Sequence, residues 1–156
     1  MLDVEIPGFG TLRLEYLVCD FTGTISVDGK LLPMIKEKLN AISDFLKIFV
    51  LTADEFGKAE EELREINCEV HIIKGPAIDI QKAEFVKKLG ADRVVAFGNG
   101  LNDRGMLKTA RLGIILVGSE GCAVESLLAA HLVVANPVEG LDLLLNPRRI
   151  RATLKY

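Results

Sequence analysis

Apolar residues follow two spacings along this chain, and the two spacings alternate. Short continuous apolar runs of the kind that form buried strands recur from Leu17 onward: LVC, IFVL, VHII, VVAF, GIIL and LVVA. Between them, apolar residues recur at the spacing of one helix face, as in Ile35, Leu39, Ile42 and Leu46. Strands that alternate with helices predict a parallel sheet with helices on both faces, so the expected fold class is α/β with a doubly wound, Rossmann-like core.

Two hairpins and two further helices are predicted from turn and capping residues. DVEI and TLRLEY flank the turn-prone PGFG and predict an N-terminal β-hairpin. ISVDGKLL places Asp28 and Gly29 between short apolar arms, which is typical of a tight hairpin. Apolar spacing over residues 56–66 predicts one helix, and Asp79 is expected to cap another helix that Gly90 ends.

Composition narrows the class of protein without identifying a function. The chain has 156 residues, of which 49% are hydrophobic, so a single domain over residues 1–156 with one sizeable core is expected. A formal charge of −3 and the lack of a dense basic cluster argue against a nucleic-acid or membrane surface, and RRIR at residues 148–151 is interpreted as a solvated helix face. Three isolated cysteines, with no signal peptide and no membrane-length apolar run, favour a cytoplasmic protein.

Polar side chains directly follow several of the predicted strands. LVCDFTGT is the clearest case, because its apolar run ends on Asp20, a carboxylate whose burial is costly unless another group compensates its charge. The carboxyl ends of parallel strands meet at one edge of the sheet, where open α/β sheets bind ligands. The polar residues expected at that edge are Asp20, Thr22, Thr24, Thr52, Lys82, Asn99, Asn102 and Asp103. A lysine, hydroxyls and carboxylate or amide oxygens together suit a divalent cation and a phosphoryl group.

Four short motifs carry a resemblance to a known superfamily. DFTGT from Asp20, VLT ending at Thr52, Lys82 at a predicted helix start and FGNGLND from Phe97 are similar to the four motifs of the haloacid dehalogenase-like hydrolases. Thr22, two residues after the aspartate, resembles the branch that contains the phosphorylation domain of P-type ATPases. The segments between the motifs leave no room for a cap domain, so the chain resembles the small capless group called soluble P-type ATPase-like proteins.

The resemblance implies a role for each of these residues. Asp20 would be the nucleophile that forms an aspartyl-phosphate, and Lys82 would offset the charge that phosphate and carboxylate share. The implied catalytic set is Asp20, Thr22, Thr52 and Lys82. The implied cofactor is Mg²⁺, with ligands from Asp20, the backbone carbonyl of Thr22, Asn99 and Asp103. Contacts to the substrate are expected from Gly23, Thr24, Ala53 and Asn102.

Two positions depart from the pattern of the superfamily. Most of its phosphatases have a second aspartate where Thr22 stands, which acts as general acid and base and contributes about 10²–10⁴ in rate. The fourth motif usually begins with an aspartate that binds the metal, and this chain has the uncharged Asn99 there. Both departures predict a slow enzyme or a phosphoenzyme that persists.

The sequence leaves three classes of function open. The expected one is a magnesium-dependent phosphohydrolase that acts on a small phosphorylated molecule. A second is a non-catalytic member that binds a phosphorylated ligand or a protein partner, and a third is a receiver-like domain phosphorylated on aspartate, although Asp20 lacks the acidic pair of that class. The resemblance to capless relatives, in which a neighbouring subunit commonly shields the site from water, implies a homo-oligomer, a dimer or tetramer, with the Asp28-Gly29 hairpin near the interface.

Overall fold

Ten strands and seven helices form most of the chain in the computed structural model, which describes all residues from 1 to 156. The strands are β1 (Leu2–Ile6), β2 (Gly10–Leu14), β3 (Tyr16–Cys19), β4 (Ser26–Val27), β5 (Lys30–Leu31), β6 (Lys47–Thr52), β7 (Glu69–Ile72), β8 (Val94–Gly98), β9 (Leu112–Leu116) and β10 (Leu132–Val134). The helices are α1 (Ile35–Ile42), α2 (Ala59–Glu62), α3 (Ile78–Leu89), α4 (Arg104–Thr109), α5 (Val124–Ala129), α6 (Pro137–Leu145) and α7 (Pro147–Leu154). Six strands form a parallel sheet in the order β10-β9-β8-β3-β6-β7, and β1–β2 and β4–β5 are separate antiparallel hairpins. The predicted α/β class, the parallel sheet and both hairpins are confirmed.

The sheet is buried on both faces because successive side chains of a strand point to opposite sides. In β3, Leu17 and Cys19 pack into the larger part of the core, which also takes side chains of α1, α6, α7 and the β1–β2 hairpin. Val18 points the other way and packs in a second cluster with Val86 of α3 and Met106 of α4. Burial on both faces explains why the strands are continuous apolar runs and do not alternate with polar residues.

The order of the strands reverses at β3, in the middle of the sheet. The chain passes from β3 outward to β6 and β7, then returns to β8 on the other side of β3 before it passes outward to β9 and β10. Such a reversal leaves a crevice beyond the carboxyl ends of the two neighbouring strands. The N–H of Asp20 donates to the carbonyl of Phe97 (2.9 Å), so the first residue after β3 is fixed beside the end of β8.

No cap domain interrupts this core. Between Asp20 and Thr52 the chain forms only β4, β5, α1 and β6, and between Thr52 and Lys82 it forms only α2, β7 and the first turn of α3. The β4–β5 hairpin contacts a loop of its own chain, since the N–H of Asp28 donates to the carboxylate of Glu120 (3.3 Å). The carboxyl edge of the sheet is therefore covered only by short loops and this hairpin.

Two local predictions about helices are wrong. The helix expected over residues 56–66 is reduced to the single turn of α2. Gly57, before the helix, takes a left-handed conformation (φ 66°) that leaves Phe56 outside it, and residues 63–66 form turns after it. Asp79 does not cap α3, because the helix begins after Ala77, which is left-handed (φ 59°), and Asp79 lies within the first turn. Gly90 ends α3 as predicted.

The basic RRIR segment lies in the C-terminal helix α7, in agreement with its interpretation as a solvated helix face. Arg148, Arg149 and Arg151 are exposed, whereas Ile150 is fully buried in the core that α7 shares with β1. In the whole structure, no helix has both the length and the apolar character that a membrane crossing requires.

Candidate active site

A polar cleft lies at the carboxyl ends of β3, β6 and β8, where the strand order reverses. Its volume is about 180 Å³. The residues that line it are Asp20, Thr22, Thr52, Ala53, Asp54, Glu55, Asn99, Gly100 and Asn102. Six of the sequence-predicted site residues are therefore brought together in one place, although they come from three separate segments of the chain.

Asp20 is held at the base of this cleft by both of its carboxylate oxygens. Lys82 Nζ donates to Oδ1 (2.8 Å), and the hydroxyl of Thr24 donates to Oδ2 (3.0 Å). Only 6% of the residue is exposed. Burial, together with the negative charge of Asp103, raises the pKa of Asp20 from 3.8 to about 6, even though Lys82 and Thr24 act in the opposite direction.

Lys82 is fully buried and joins two carboxylates. Its Nζ lies 2.8 Å from Asp20 Oδ1 and 2.8 Å from Asp103 Oδ1, and it also donates to Asn102 Oδ1 (3.2 Å). Burial alone would lower the pKa of Lys82, but the charges of Asp20 and Asp103 outweigh burial and raise it. The lysine is therefore a permanent cation beneath the cleft, and its three donors all have acceptors.

Asp103 supports the site from behind, because both of its oxygens are already bonded. Oδ1 accepts from Lys82, and Oδ2 accepts from the N–H groups of Asn99 and Gly100 (3.0 Å each). Gly98 makes this approach possible, since a Cβ at that position would lie 2.6 Å from the Asp103 carboxyl carbon. Asp103 is buried and does not line the cleft, and its contacts position Lys82 and the loop after β8. The role of Asp103 as a metal ligand stays a prediction.

Asn99 extends its amide between the loop after β3 and the loop before α5. Its Oδ1 accepts from the hydroxyl of Thr24 (3.1 Å), and its Nδ2 donates to the carbonyl of Gly121 (3.3 Å). Since the Thr24 hydroxyl has one hydrogen, it serves either Asn99 or Asp20 at any moment. Gly23 has φ +80°, and a Cβ there would lie 2.5 Å from Asn99 Nδ2, so only glycine allows the two loops to approach this closely.

Two hydroxyls of the cleft lining are free to donate. Thr52 Oγ1 accepts from the N–H of Asp54 (2.9 Å), which leaves the hydroxyl hydrogen for another acceptor. Thr22 Oγ1 is buried and has no hydrogen-bond partner at all. A buried polar group without a partner costs about 1–3 kcal/mol, which is typical of a site that gains its acceptor with a ligand.

The Thr-Gly-Thr turn uses two of its backbone amides for hydrogen bonds within its own loop. The N–H of Gly23 donates to the carbonyl of Ser26 (2.9 Å), and the N–H of Thr24 donates to the carbonyl of Phe21 (3.2 Å). These two amides stabilise the turn itself and are not free for a phosphoryl oxygen. Gly23 and Thr24 therefore shape the loop, and their expected contact with the substrate stays a prediction.

The donor set fits a hard divalent cation. Asp20 offers a carboxylate, Asn99 an amide oxygen and Thr22 a backbone carbonyl, all from residues that line the cleft, and oxygen ligands of this kind suit Mg²⁺. No three His, Cys, Asp or Glu side chains lie together in a way that would hold a metal ion by themselves. A cation here therefore has to combine side-chain, backbone and substrate oxygens, and we expect its affinity to be low without phosphate.

Two acidic residues of the cleft were missed from the sequence. Asp54 and Glu55 line the cleft beside Thr52, directly after β6. In LTADEF they directly follow a predicted parallel strand, which indicates a position at the ligand-binding edge of the sheet, but they match no motif of the superfamily.

Comparisons with known proteins relate the chain to two groups of proteins. No family model matches it. An uncharacterized protein of Methanocaldococcus jannaschii is 41% identical over 70 residues, which cover 45% of this chain and 75% of that protein. A protein of Archaeoglobus fulgidus described as a probable copper-exporting P-type ATPase is 37% identical over 106 residues, which cover 67% of this chain. The match spans only 13% of the length of the ATPase.

Two solved structures share the fold over nearly the whole chain. The 3-deoxy-D-manno-octulosonate 8-phosphate phosphatase of Moraxella catarrhalis, in complex with magnesium, phosphate and a KDO molecule, has a TM-score of 0.70 at 17% identity and covers 92% of this chain and 95% of that one. A Streptomyces avermitilis protein described as a HAD family hydrolase has a TM-score of 0.66 at 18% identity and covers 87% of this chain and 93% of that one. At these identities the likeness is one of fold.

Proposed function

We propose that this chain, which belongs to the same family as the Methanocaldococcus protein and shares the fold of the two solved hydrolase structures, is a magnesium-dependent phosphohydrolase of the haloacid dehalogenase superfamily. It acts on a small phosphorylated molecule and forms an aspartyl-phosphate on Asp20. The observation that carries the proposal is the placement of Asp20, a buried carboxylate that Lys82 and Thr24 hold by both oxygens and that lines an open cleft.

Asp20 is the nucleophile of the proposed reaction. One of its oxygens attacks the phosphorus of a phosphomonoester, so that a bond from this oxygen to phosphorus forms while the bond to the alcohol oxygen breaks. The departing alkoxide takes a proton from water, because Thr22 stands where a carboxylic acid would donate one. Water then attacks the phosphorus of the aspartyl-phosphate, and inorganic phosphate leaves with Asp20 restored.

The remaining cleft residues stabilise the transferred group. Thr52 and Thr22 supply hydroxyl donors without an acceptor in the structure, and the amide of Asn102 lines the cleft with its nitrogen free. Lys82 keeps Asp20 in its charged, reactive form and offsets the charge that accumulates as phosphate approaches. These groups are fixed before the substrate arrives, so no reorganisation is needed during the reaction.

Asp20, the Thr22 carbonyl and Asn99 would hold the Mg²⁺ ion. When bound, Mg²⁺ supplies charge neutralisation for the phosphoryl oxygens. Asn99 contributes an oxygen without charge, so we expect tighter metal binding in the presence of phosphate than in its absence.

Release of phosphate from a panel of small phosphomonoesters, assayed with Mg²⁺ and with EDTA, tests the proposed function. We expect Mg²⁺-dependent turnover, and we expect an acyl phosphate donor to label the protein with one equivalent of acid-stable, hydroxylamine-sensitive phosphate. Absence of both label and turnover at millimolar Mg²⁺ would contradict the proposal and favour a non-catalytic, ligand-binding protein.

Thr22→Asp is expected to speed hydrolysis of the aspartyl-phosphate by about 10²-fold, because it places a general base beside the attacking water. The two side chains have nearly the same size, so the loop should accept the change. Decay of labelled protein in a single turnover at saturating Mg²⁺ measures the effect. Thr22→Asn is the matched control, since it has the same shape without a titratable group, and its decay should not be faster than that of the wild type. Unchanged decay in Thr22→Asp would mean that this threonine does not limit dephosphorylation.

The oligomeric state stays a prediction. In the structure, the β4–β5 hairpin contacts Glu120 of its own chain, and its outer surface remains exposed at Asp28 and Lys30. A dimer or tetramer formed through this hairpin would shield the cleft from water, in keeping with the electrostatic role proposed for Lys82.

A further inference from the structure

The charged residues that line the cleft all carry the same sign. They are Asp20, Asp54 and Glu55, and neither lysine nor arginine lines the cleft. Lys82 lies beneath the cleft, fully buried, and its donors are already bonded to Asp20, Asn102 and Asp103. With the phosphoryl group at Asp20, the charge that remains to meet the rest of the substrate is that of Asp54 and Glu55.

Asp54 and Glu55 differ in how firmly they are held. The Oδ1 atom of Asp54 accepts from the N–H groups of Lys58 and Ala59 (3.0 Å each), and Asp54 has a left-handed backbone (φ 54°). These hydrogen bonds fix the Asp54 carboxylate to the start of α2. Glu55 is exposed and forms no hydrogen bond or ion pair in the structure, so it is the free carboxylate at the mouth of the cleft.

The size of the cleft limits what it can hold. At about 180 Å³ it is smaller than the roughly 300–1,000 Å³ of most small-molecule sites, and the phosphoryl group takes part of that volume. The unpartnered hydroxyl of Thr22, an independent sign of a bound group, belongs to the same lining. Beside the phosphoryl group the cleft has room for few atoms, so the leaving group lies at the mouth of the cleft, which Glu55 lines.

We propose that Glu55 determines specificity and that the cleft selects small phosphomonoesters with a cationic leaving group, such as a phosphorylated amino alcohol, over those with an anionic one. This inference rests on the proposed function. An ammonium group in the leaving alcohol meets the free carboxylate of Glu55, whereas a carboxylate in the same place meets two like charges, at Glu55 and Asp54. The phosphoryl transfer is the same for both classes, so the difference lies in binding at the mouth of the cleft.

Three phosphomonoesters of similar size test the proposal because they differ mainly in the charge of the alcohol: phosphoethanolamine, glycerol phosphate and phosphoglycerate. We expect kcat/KM to fall in that order, with phosphoethanolamine at least about tenfold above phosphoglycerate at low salt. The ratio should shrink as sodium chloride is added, since the Debye length falls from about 10 Å at 0.1 M to about 3 Å at 1 M.

Variants of Glu55 test whether this residue causes the difference in kcat/KM between the substrates. Glu55→Gln should lower the phosphoethanolamine to phosphoglycerate ratio about fivefold, and Glu55→Lys should lower it further and bring it below one. Glu60→Gln is the matched control, because Glu60 is an exposed glutamate nearby in α2 that does not line the cleft, and its ratio should equal that of the wild type.

Each outcome of this experiment has one meaning. A wild-type ratio near one, or a ratio that Glu55→Gln and Glu55→Lys leave unchanged, would overturn the specificity role of Glu55 while phosphatase activity stands. Failure to hydrolyse any of the three esters, together with failure to form a phosphoenzyme from an acyl phosphate, would instead overturn the proposed function and with it this inference.

Discussion

Replacement of Asp20 by asparagine is expected to abolish formation of the phosphoenzyme and to lower turnover by at least about 10⁴-fold. The amide cannot act as the nucleophile, and no other carboxylate takes its place. Asp103 is buried behind the cleft, Asp54 is bonded to its own loop, and Glu55 is exposed at the mouth without a lysine beside it. Incorporation of labelled phosphate from an acyl phosphate, compared between wild type and Asp20→Asn, measures this effect. Equal incorporation in the variant would remove Asp20 from the mechanism.

The fold should survive this substitution. An asparagine in the same position can accept from Lys82 with its oxygen and donate to the Thr24 hydroxyl with its nitrogen, and Thr24 can then donate to Asn99. Asparagine also removes a carboxylate that is costly to ionise. The pKa of Asp20 is raised from 3.8 to about 6 by burial and by Asp103, so in the folded protein this group binds its proton more tightly than in the unfolded chain.

The raised pKa of Asp20 makes the free energy of unfolding depend on pH. Between pH 3.8 and 6 the folded state holds more protons at Asp20 than the unfolded state, so this group lowers the stability of the wild type as the pH rises, and the full cost is present above pH 6. Without metal, Asp20→Asn should therefore be more stable than the wild type at pH 7.5, by about 1–3 kcal/mol, and about equal to it near pH 4. Urea unfolding in EDTA at the two pH values measures this difference, and a variant less stable than the wild type at pH 7.5 would contradict the electrostatic picture of Asp20.

The position of the site could be predicted from the sequence, because it depends on the pattern of strands. Continuous apolar runs identify the parallel strands, and the residues after each run lie at the carboxyl edge whatever the details of packing. Asp20, Thr52 and Asn99 therefore lie together in the structure as expected. The same logic extends to Asp54 and Glu55, which follow β6 but were missed because no motif contains them.

The direction of individual side chains could not be predicted in this way. Asp103 follows β8 as Asn99 and Asn102 do, and only the folded loop shows that its carboxylate turns back to the N–H groups of Asn99 and Gly100. The length of α2 was equally hidden, since the apolar spacing over residues 56–66 is helical while Gly57 adopts a backbone conformation that a helix does not allow. Both cases depend on the local backbone, which the apolar pattern does not report.

The contact between Lys82 and Asp20 spans 62 residues of sequence, and its removal carries the second large effect that we expect. Lys82→Met keeps the length and apolar stem of the side chain but leaves two buried carboxylates, Asp20 and Asp103, without their cation. Breaking a buried ion pair from one side costs about 3–5 kcal/mol, so at pH 7.5 and without metal this variant should be strongly destabilised in urea. Its loss of stability should shrink at low pH, where protonation of the carboxylates removes their repulsion.

The charged form of Lys82 stabilises the fold, whereas the charged form of Asp20 destabilises it, so the two groups change the free energy of unfolding in different pH ranges. The pKa of Lys82 is raised in the folded state, so the stability that its charge contributes is fully present below the ordinary lysine pKa of 10.5 and is lost only as the pH rises beyond it. Between pH 5 and 9 the protonation of Lys82 therefore does not change the stability of the wild type, and any further pH dependence of unfolding in Lys82→Met relative to the wild type reports the unpaired carboxylates.

Lys87→Met is the matched control, because Lys87 lies on the same helix in an exposed ion pair with Glu84, and the stability of this variant should stay close to that of the wild type. If Lys82→Met were as stable as Lys87→Met at pH 7.5, Lys82 would not be needed to compensate the negative charges of Asp20 and Asp103, and its proposed electrostatic role would be wrong.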